Sequence, residues 1–170
     1  NNQDHVYLAF DVEPDALEGS VLGLRAMKFT GANVTSPHKE NVMKYVDQIS
    51  QEAKYVGAVN TLSYKNGVLM GDNTDVYGFV KMVQEAGVDL NGKTSSAVLG
   101  TGGASKAVVV GLAMEGVKNI HIYSRSLEKG HAFVESLKGI DQMLVKSYDE
   151  IHKEKYDLVV NTTPLGMHPY

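Results

Sequence analysis

One stretch limits the folds open to this chain: Ser96-Ala97-Val98-Leu99-Gly100-Thr101-Gly102-Gly103-Ala104-Ser105-Lys106. Short apolar residues run into a glycine cluster, and the strongly apolar residues 107–114 come at once after it. The pattern predicts a buried parallel strand, a tight turn and a helix whose first amides are bare. Glycines let the backbone turn sharply and approach a ligand, and a helix N-terminus attracts anions. A dinucleotide pyrophosphate is the usual occupant of such a turn. A glycine-rich turn that only joins strand to helix is the plainer reading. The strand-loop-helix context favours the nucleotide.

The residues after the loop support a parallel sheet. Gly116 ends the helix, and Asn119-Ile120-His121-Ile122-Tyr123 reads as the next strand, with His121 as a packing residue. Residues 127–137 read as a helix, then 143–145 and 156–160 as strands. Strands alternating with helices imply right-handed crossovers in one sheet. Just past the second strand, an NAD site would carry Asp or Glu to hold the ribose hydroxyls. Here that place holds Ser124-Arg125-Ser126, with Lys129 one turn on. A guanidinium matches a 2′-phosphate, so NADP is the expected cofactor; a surface arginine opening a helix is the alternative. Asn161-Thr162-Thr163-Pro164-Leu165-Gly166-Met167 lies beyond a strand's carboxyl end, which suits a ligand contact.

The first half offers a second set of motifs. Val6-Tyr7-Leu8-Ala9-Phe10-Asp11-Val12 reads as a buried strand closed by Glu13-Pro14, and Asp15 as the cap of a helix through Leu24. Residues 29–34 read as a short strand. Ser36 before Pro37 signals a helix start, serine at the cap and proline at the first helical position. Lys39 then falls near the third position, where a cation faces the positive end of the helix dipole and is disfavoured. A local rule broken in this way marks either a functional group or an ordinary solvated lysine. Asn66-Gly67 between two apolar runs is a type I′ hairpin signal. Asp72-Asn73-Thr74-Asp75 opens a helix toward Gly87, with Asp75 in the first turn, where dipole compensation alone would explain a carboxylate. Asn60 is a candidate turn residue.

Composition narrows the classes. A chain of 170 residues with 43% hydrophobic and 21% charged residues is ordinary for a globular protein, enough for one domain or two small ones. A net charge of -4 without a basic run argues against nucleic acid, and no apolar run approaches membrane-spanning length. No cysteine is present, which excludes disulfides and thiolate chemistry and fits a cytoplasmic protein. Six scattered histidines show no metal-ligand spacing, so no catalytic metal is expected. A start without methionine and an end at His168-Pro169-Tyr170 suggest a piece of a longer chain.

Six motifs in order resemble one family. Asn33-Val34-Thr35-Ser36-Pro37-His38-Lys39, Gly57-Ala58-Val59-Asn60-Thr61, Gly71-Asp72-Asn73-Thr74-Asp75, the glycine loop, Ser124-Arg125-Ser126 and the 161–167 motif are similar to those of the shikimate dehydrogenases. The resemblance implies an N-terminal α/β substrate domain, a Rossmann-type parallel-sheet NADP domain, and an active site in the cleft between. It places the substrate domain at residues 1–73, a connecting helix and linker at 74–91, and the NADP domain at 92–170. It implies reversible NADPH-dependent reduction of 3-dehydroshikimate to shikimate, with Lys39 and Asp75 as the catalytic pair. Thr35 and Asn60 would join them in holding the substrate hydroxyls. Gly100, Thr101, Gly102, Gly103, Ala104, Ser124, Arg125, Ser126, Lys129, Thr162, Thr163, Gly166 and Met167 would hold the cofactor. The family's loop commonly has Ala where Thr101 stands and Asn where Ser124 stands. Complete members add an N-terminal strand with a serine-bearing loop and further strands and helices after the 161–167 motif. The resemblance is compatible with a homodimer. A quinate/shikimate dehydrogenase using NAD and a non-catalytic nucleotide-binding module are the alternatives.

Overall fold

The computed structural model describes residues 4–137 and 139–166. Along them run α1 (Leu17–Ala26), β1 (Gly31–Asn33), β2 (Gln48–Ile49), α2 (Gln51–Val56), β3 (Thr61–Lys65) and β4 (Val68–Asp72). The chain continues with α3 (Thr74–Glu85), β5 (Ser95–Leu99), α4 (Gly103–Met114), β6 (Asn119–Ser124), α5 (Leu127–Ser136), β7 (Met143–Ser147) and β8 (Leu158–Asn161). Short 3₁₀ turns occupy Pro14–Ala16, Asn41–Tyr45 and Tyr148–Lys153. No helix among the described residues is long and apolar enough to cross a membrane.

The first sheet has the order β1-β3-β4-β2 and is built on the hairpin that Asn66-Gly67 predicts. Both turn residues have positive φ, 53° and 83°, as a type I′ turn requires, and Lys65 pairs directly with Val68. Strand β1 pairs antiparallel with β3, and β2 runs parallel to β4. Its core joins Leu17, Val21 and Leu24 of α1 to Val42, Val59, Leu62 and Leu69. Arg25 and Asp47 tie α1 to the sheet: Nη1 and Nη2 donate to the carboxylate at 2.7 and 3.0 Å, and the Leu69 amide donates to it at 2.7 Å. The guanidinium first, then that amide, hold the Asp47 carboxyl below the usual carboxylate range. On acidification the unfolded chain therefore takes up this proton before the folded one. The stabilisation is complete above the ordinary carboxylate range and is lost as pH falls through it toward the lowered value. Melting temperature followed against pH is expected to fall steeply on the acid side, and Asp47→Asn to lower the neutral value and flatten that limb. An unchanged acid limb in the variant would contradict this.

The second sheet is wholly parallel, in the order β7-β6-β5-β8. The chain leaves β5 for β6 on one side and returns with β8 on the other, so the topological switch lies between β5 and β8. Ligands of open α/β sheets bind outside the strand carboxyl ends at that place. Helix α4 supplies Ala107, Val108, Val109, Val110 and Leu112 to the core that also takes in Val98, Ile120, Ile122 and Phe133. Val76, Phe79 and Val83 of α3, one helical face at spacings of three and four, enter the same core. A side chain at Gly111 would meet Val80 and Phe79 at 3.0 and 3.1 Å, so its bare Cα is what lets α4 lie close on α3.

Several expectations need correction. Residues 6–12 form no strand and no helix, and Val6 and Tyr7 are about 80% exposed. Apolar alternation makes a strand only where a neighbour supplies the hydrogen-bond ladder, and among the described residues none does. The segment is held instead by Tyr7 Oη donating to Asn33 Oδ1, His38 Nε2 donating to Val12 O, and an edge contact of Phe10 with Phe29. Asp15 lies inside the Pro14–Ala16 turn, with Glu13 at the cap position. No helix starts at Ser36. The Ser36–Pro37 peptide is cis, His38 N donates back to Thr35 O, and the Lys39 carbonyl accepts from the Val59 amide at 2.8 Å rather than from a following turn. The helix-dipole reasoning for Lys39 therefore does not apply. Helix α2, unexpected, had its signals in Ser50, whose hydroxyl accepts from Ala53 N, and in Gly57, which closes it at φ 71°. His121 is no mere packing residue: its Nδ1 lies 2.7 Å from the Tyr156 hydroxyl and 3.0 Å from Glu154. Burial holds its imidazole below the usual histidine range.

Candidate active site

Three backbone bonds bring separated motifs of the first half together. Val34 N donates to Asn60 O at 2.7 Å, Val59 N to Lys39 O at 2.8 Å, and Asn60 N to Asp72 O at 2.9 Å. The turn carrying Thr35 and Lys39, the segment before β3 and the N-terminus of α3 are thereby fixed against one another. Lys39 Nζ lies 3.4 Å from Asp75 Oδ2, with both side chains partly exposed. An ammonium has three donors, and among the described residues only one is engaged. The pair thus presents a cation steadied by a carboxylate, with donors to spare for an oxygen ligand.

Asn60 is buried, and its orientation is decided by its neighbours. Its Oδ1 accepts from Thr74 N at 3.0 Å, from Thr74 Oγ1 at 3.2 Å and from Thr61 Oγ1 at 2.9 Å. A main-chain N–H only donates, so the oxygen must face it and the amide nitrogen must face away. Its Nδ2 has no protein partner among the described residues. Thr35 is exposed, and its hydroxyl is unengaged among the described residues. The start of α3 is secured by residues that the motifs do not single out. Asn73 caps the Asp75 amide and donates to Ala58 O, while Asp72 accepts from Ser50 Oγ at 2.6 Å and from Asn73 N.

The second cluster lies at the switch point. Gly100 leaves β5 at φ +112°, and Gly102, Gly103 and Ala104 are exposed where α4 begins. No side chain fills the space above Gly102 or Gly103. Among the described residues the amides of Gly103, Ala104 and Ser105 make no main-chain bond, which is the donor set an anionic diphosphate requires. Thr101 is half-buried. Across β5, Thr162 N donates to Leu99 O, and Thr163 folds back on Asn161 through an amide and a hydroxyl bond. Gly166 is exposed at φ 93°, and Met167 lies outside the described residues. At the end of β6, Arg125 is exposed with no ion-pair partner among the described residues. Ser126 caps α5 by accepting from Lys129 N, and Ser124 accepts from Ser126 N. A free guanidinium with Lys129 one turn along is a charge set for a phosphate rather than for a ribose diol. The residues present thus fit a phosphorylated dinucleotide.

The profile of the shikimate dehydrogenase substrate binding domain matches residues 1–62. The chain is 46% identical over 171 residues to the shikimate dehydrogenase (NADP(+)) of Caldanaerobacter subterraneus subsp. tengcongensis, covering 99% of this chain and 61% of that protein. The chain is similar to the shikimate dehydrogenases over almost all of its own length. Among solved structures it is similar to shikimate 5-dehydrogenase from Listeria monocytogenes in complex with shikimate and NAD. The TM-score there is 0.86 at 35% identity, over 98% of this chain and 61% of that one. It is also similar to shikimate 5-dehydrogenase from Thermus thermophilus in complex with NADP(H) and shikimate. That match has a TM-score of 0.77 at 31% identity, over 92% of this chain and 56% of that one. These neighbours share the fold of an α/β domain followed by a Rossmann-type parallel sheet. The chain spans 61% of the length of the first curated relatives it matches.

Proposed function

We propose that the protein carrying this sequence is an NADP-dependent shikimate dehydrogenase, interconverting shikimate and 3-dehydroshikimate in the cleft between its two sheets. The observation that carries the reading is the Lys39–Asp75 pair beside the oriented amide of Asn60. Thr35 and the Asn60 Nδ2 group hold ring hydroxyls and fix the substrate against Lys39. The NADPH cofactor, when bound, supplies the hydride. As that hydride adds to the substrate's carbonyl carbon, the carbonyl oxygen gains negative charge. Lys39 Nζ donates a proton to it, and Asp75 keeps the amine oriented and its charge balanced. In the reverse direction the Lys39 amine would take the hydroxyl proton, and the oxidised cofactor, when bound, would supply the acceptor for the hydride. The amides of Gly103 and Ala104 hold the diphosphate, with Gly100, Thr101 and Gly102 shaping the turn and Thr162, Thr163 and Gly166 its facing wall. Arg125, with Ser124, Ser126 and Lys129, takes the 2′-phosphate.

Steady-state rates with shikimate test both parts. NADP is expected to exceed NAD in kcat/KM, and Arg125→Ala to cost about one to two orders of magnitude with NADP while leaving NAD nearly unaffected, as expected for a charge-assisted contact. Turnover with neither nucleotide would overturn the reading. An Arg125→Ala effect equal for both nucleotides would overturn the placement of the phosphate.

A further inference from the structure

Thr162 makes a bond that ligand binding does not explain. Its Oγ1 lies 2.6 Å from Leu99 O and 2.6 Å from Ser105 Oγ, and Ser105 Oγ lies 3.1 Å from Gly102 N. The donor roles follow without ambiguity. A carbonyl only accepts, so the Thr162 hydroxyl proton is spent on Leu99. An amide only donates, so Ser105 accepts from Gly102 and has its own proton left for Thr162. The result is one directed chain: Gly102 N–H to Ser105 Oγ–H to Thr162 Oγ1–H to O=C of Leu99. Its two ends flank Gly100 and Thr101, and its middle crosses to the loop after β8. Ser105 is fully buried, so water does not substitute for its partner.

We propose that Ser105 and Thr162 are positioning residues, whose hydroxyl chain closes the glycine turn and locks it to the loop after β8. This rests on the dinucleotide reading above, and it gives a function to two hydroxyls that never touch the reacting atoms. The chain engages the Gly102 amide internally, so the diphosphate meets the next amides, Gly103 and Ala104, as a preset pair. Setting the turn in advance removes part of the ordering cost of binding. Because four groups act as one unit, breaking the chain at either hydroxyl releases the same constraint.

The test measures NADPH binding by fluorescence titration in the protein carrying this sequence, with Thr162→Val, Ser105→Ala, the double variant and Thr162→Ser. Each single variant removes two of the three hydrogen bonds of the chain and is expected to raise Kd for NADPH about fivefold to tenfold. The double variant should do little more than the worse single one, and Thr162→Ser should bind as the parent does. The KM for NADP should move and that for shikimate should not. Should Ser105→Ala fail to fold, the two Thr162 variants decide alone, since valine keeps the shape and serine keeps the hydroxyl. Unchanged Kd in the variants, additive losses, or both KM values rising together would overturn the inference. If the parent binds NADPH and the variants match it, only the inference falls. If the parent binds no NADPH, the cofactor reading falls and takes the inference with it.

Discussion

Lys39→Ala is expected to lower kcat for shikimate oxidation about a hundredfold to ten-thousandfold, the range for losing a positioned proton-transfer group. Geometry carries this expectation. Lys39 follows a turn whose carbonyl is pinned by the Val59 amide, and its Nζ stands 3.4 Å from Asp75 with two donors unengaged among the described residues. The Asp75 main chain is fixed in turn by Asn73 at the start of α3. Removing the ammonium leaves the developing alkoxide with neither a proton source nor a countercharge. Lys39→Arg should retain the charge and still lose most of the rate, because a planar guanidinium is a poor proton donor at neutral pH and needs a different approach. Asp75→Asn should cost less than Lys39→Ala. A Lys39→Ala enzyme with parental kcat would remove the residue from the chemistry.

Gly100→Ala is expected to weaken NADP binding by at least about tenfold and to lower the melting temperature as well. The position has φ +112°, a sparsely populated region that costs an L-residue on the order of 1–3 kcal/mol. A Cβ there would meet Thr162 Oγ1 at 2.9 Å and Thr163 Cγ2 at 3.1 Å. Relief requires the loop after β8 to move, which pulls Thr162 away from Leu99 and opens the turn. A loss of about 1.4 kcal/mol in binding corresponds to the tenfold figure. Titration with NADPH alongside a thermal melt checks it, and parental binding in the variant would contradict it.

The parallel sheet was the more legible half because its signals are local. The run into Gly100, the apolar α4 and the stop at Gly116 each specify their own geometry, and the strands follow within a residue or two. The hairpin at Asn66-Gly67 was legible for the same reason, since two positive φ values call for those residue types. What failed depends on partners distant in sequence. Residues 6–12 have the pattern of a strand but no ladder to join among the described residues, and the Ser36-Pro37 pair imitates a helix start, yet the Lys39 carbonyl is taken by the Val59 amide. Of the residues named by motif, Lys39, Asn60 and Asp75 lie on segments tied together by main-chain bonds, Thr162 and Thr163 lie beside Gly100 at the switch between β5 and β8, and Arg125 stands apart at the end of β6. The supports that hold them were not visible in the motifs. Thr61 and Thr74 on Asn60, Ser50 on Asp72 and Ser105 on Thr162 are side-chain pairings, and single-residue patterns do not encode which hydroxyl reaches which acceptor. Ser105 stood in plain view within the glycine motif, yet its use became readable only with the position of the loop after β8.

The most direct test is a crystal structure of the protein carrying this sequence with shikimate and NADP bound. The expected result is a ring hydroxyl within hydrogen-bond distance of Lys39 Nζ and Asp75, another on Asn60 Nδ2, the diphosphate on the Gly103 and Ala104 amides, and the 2′-phosphate on Arg125. Shikimate held away from Lys39, or the dinucleotide seated anywhere other than the turn after Leu99, would contradict it.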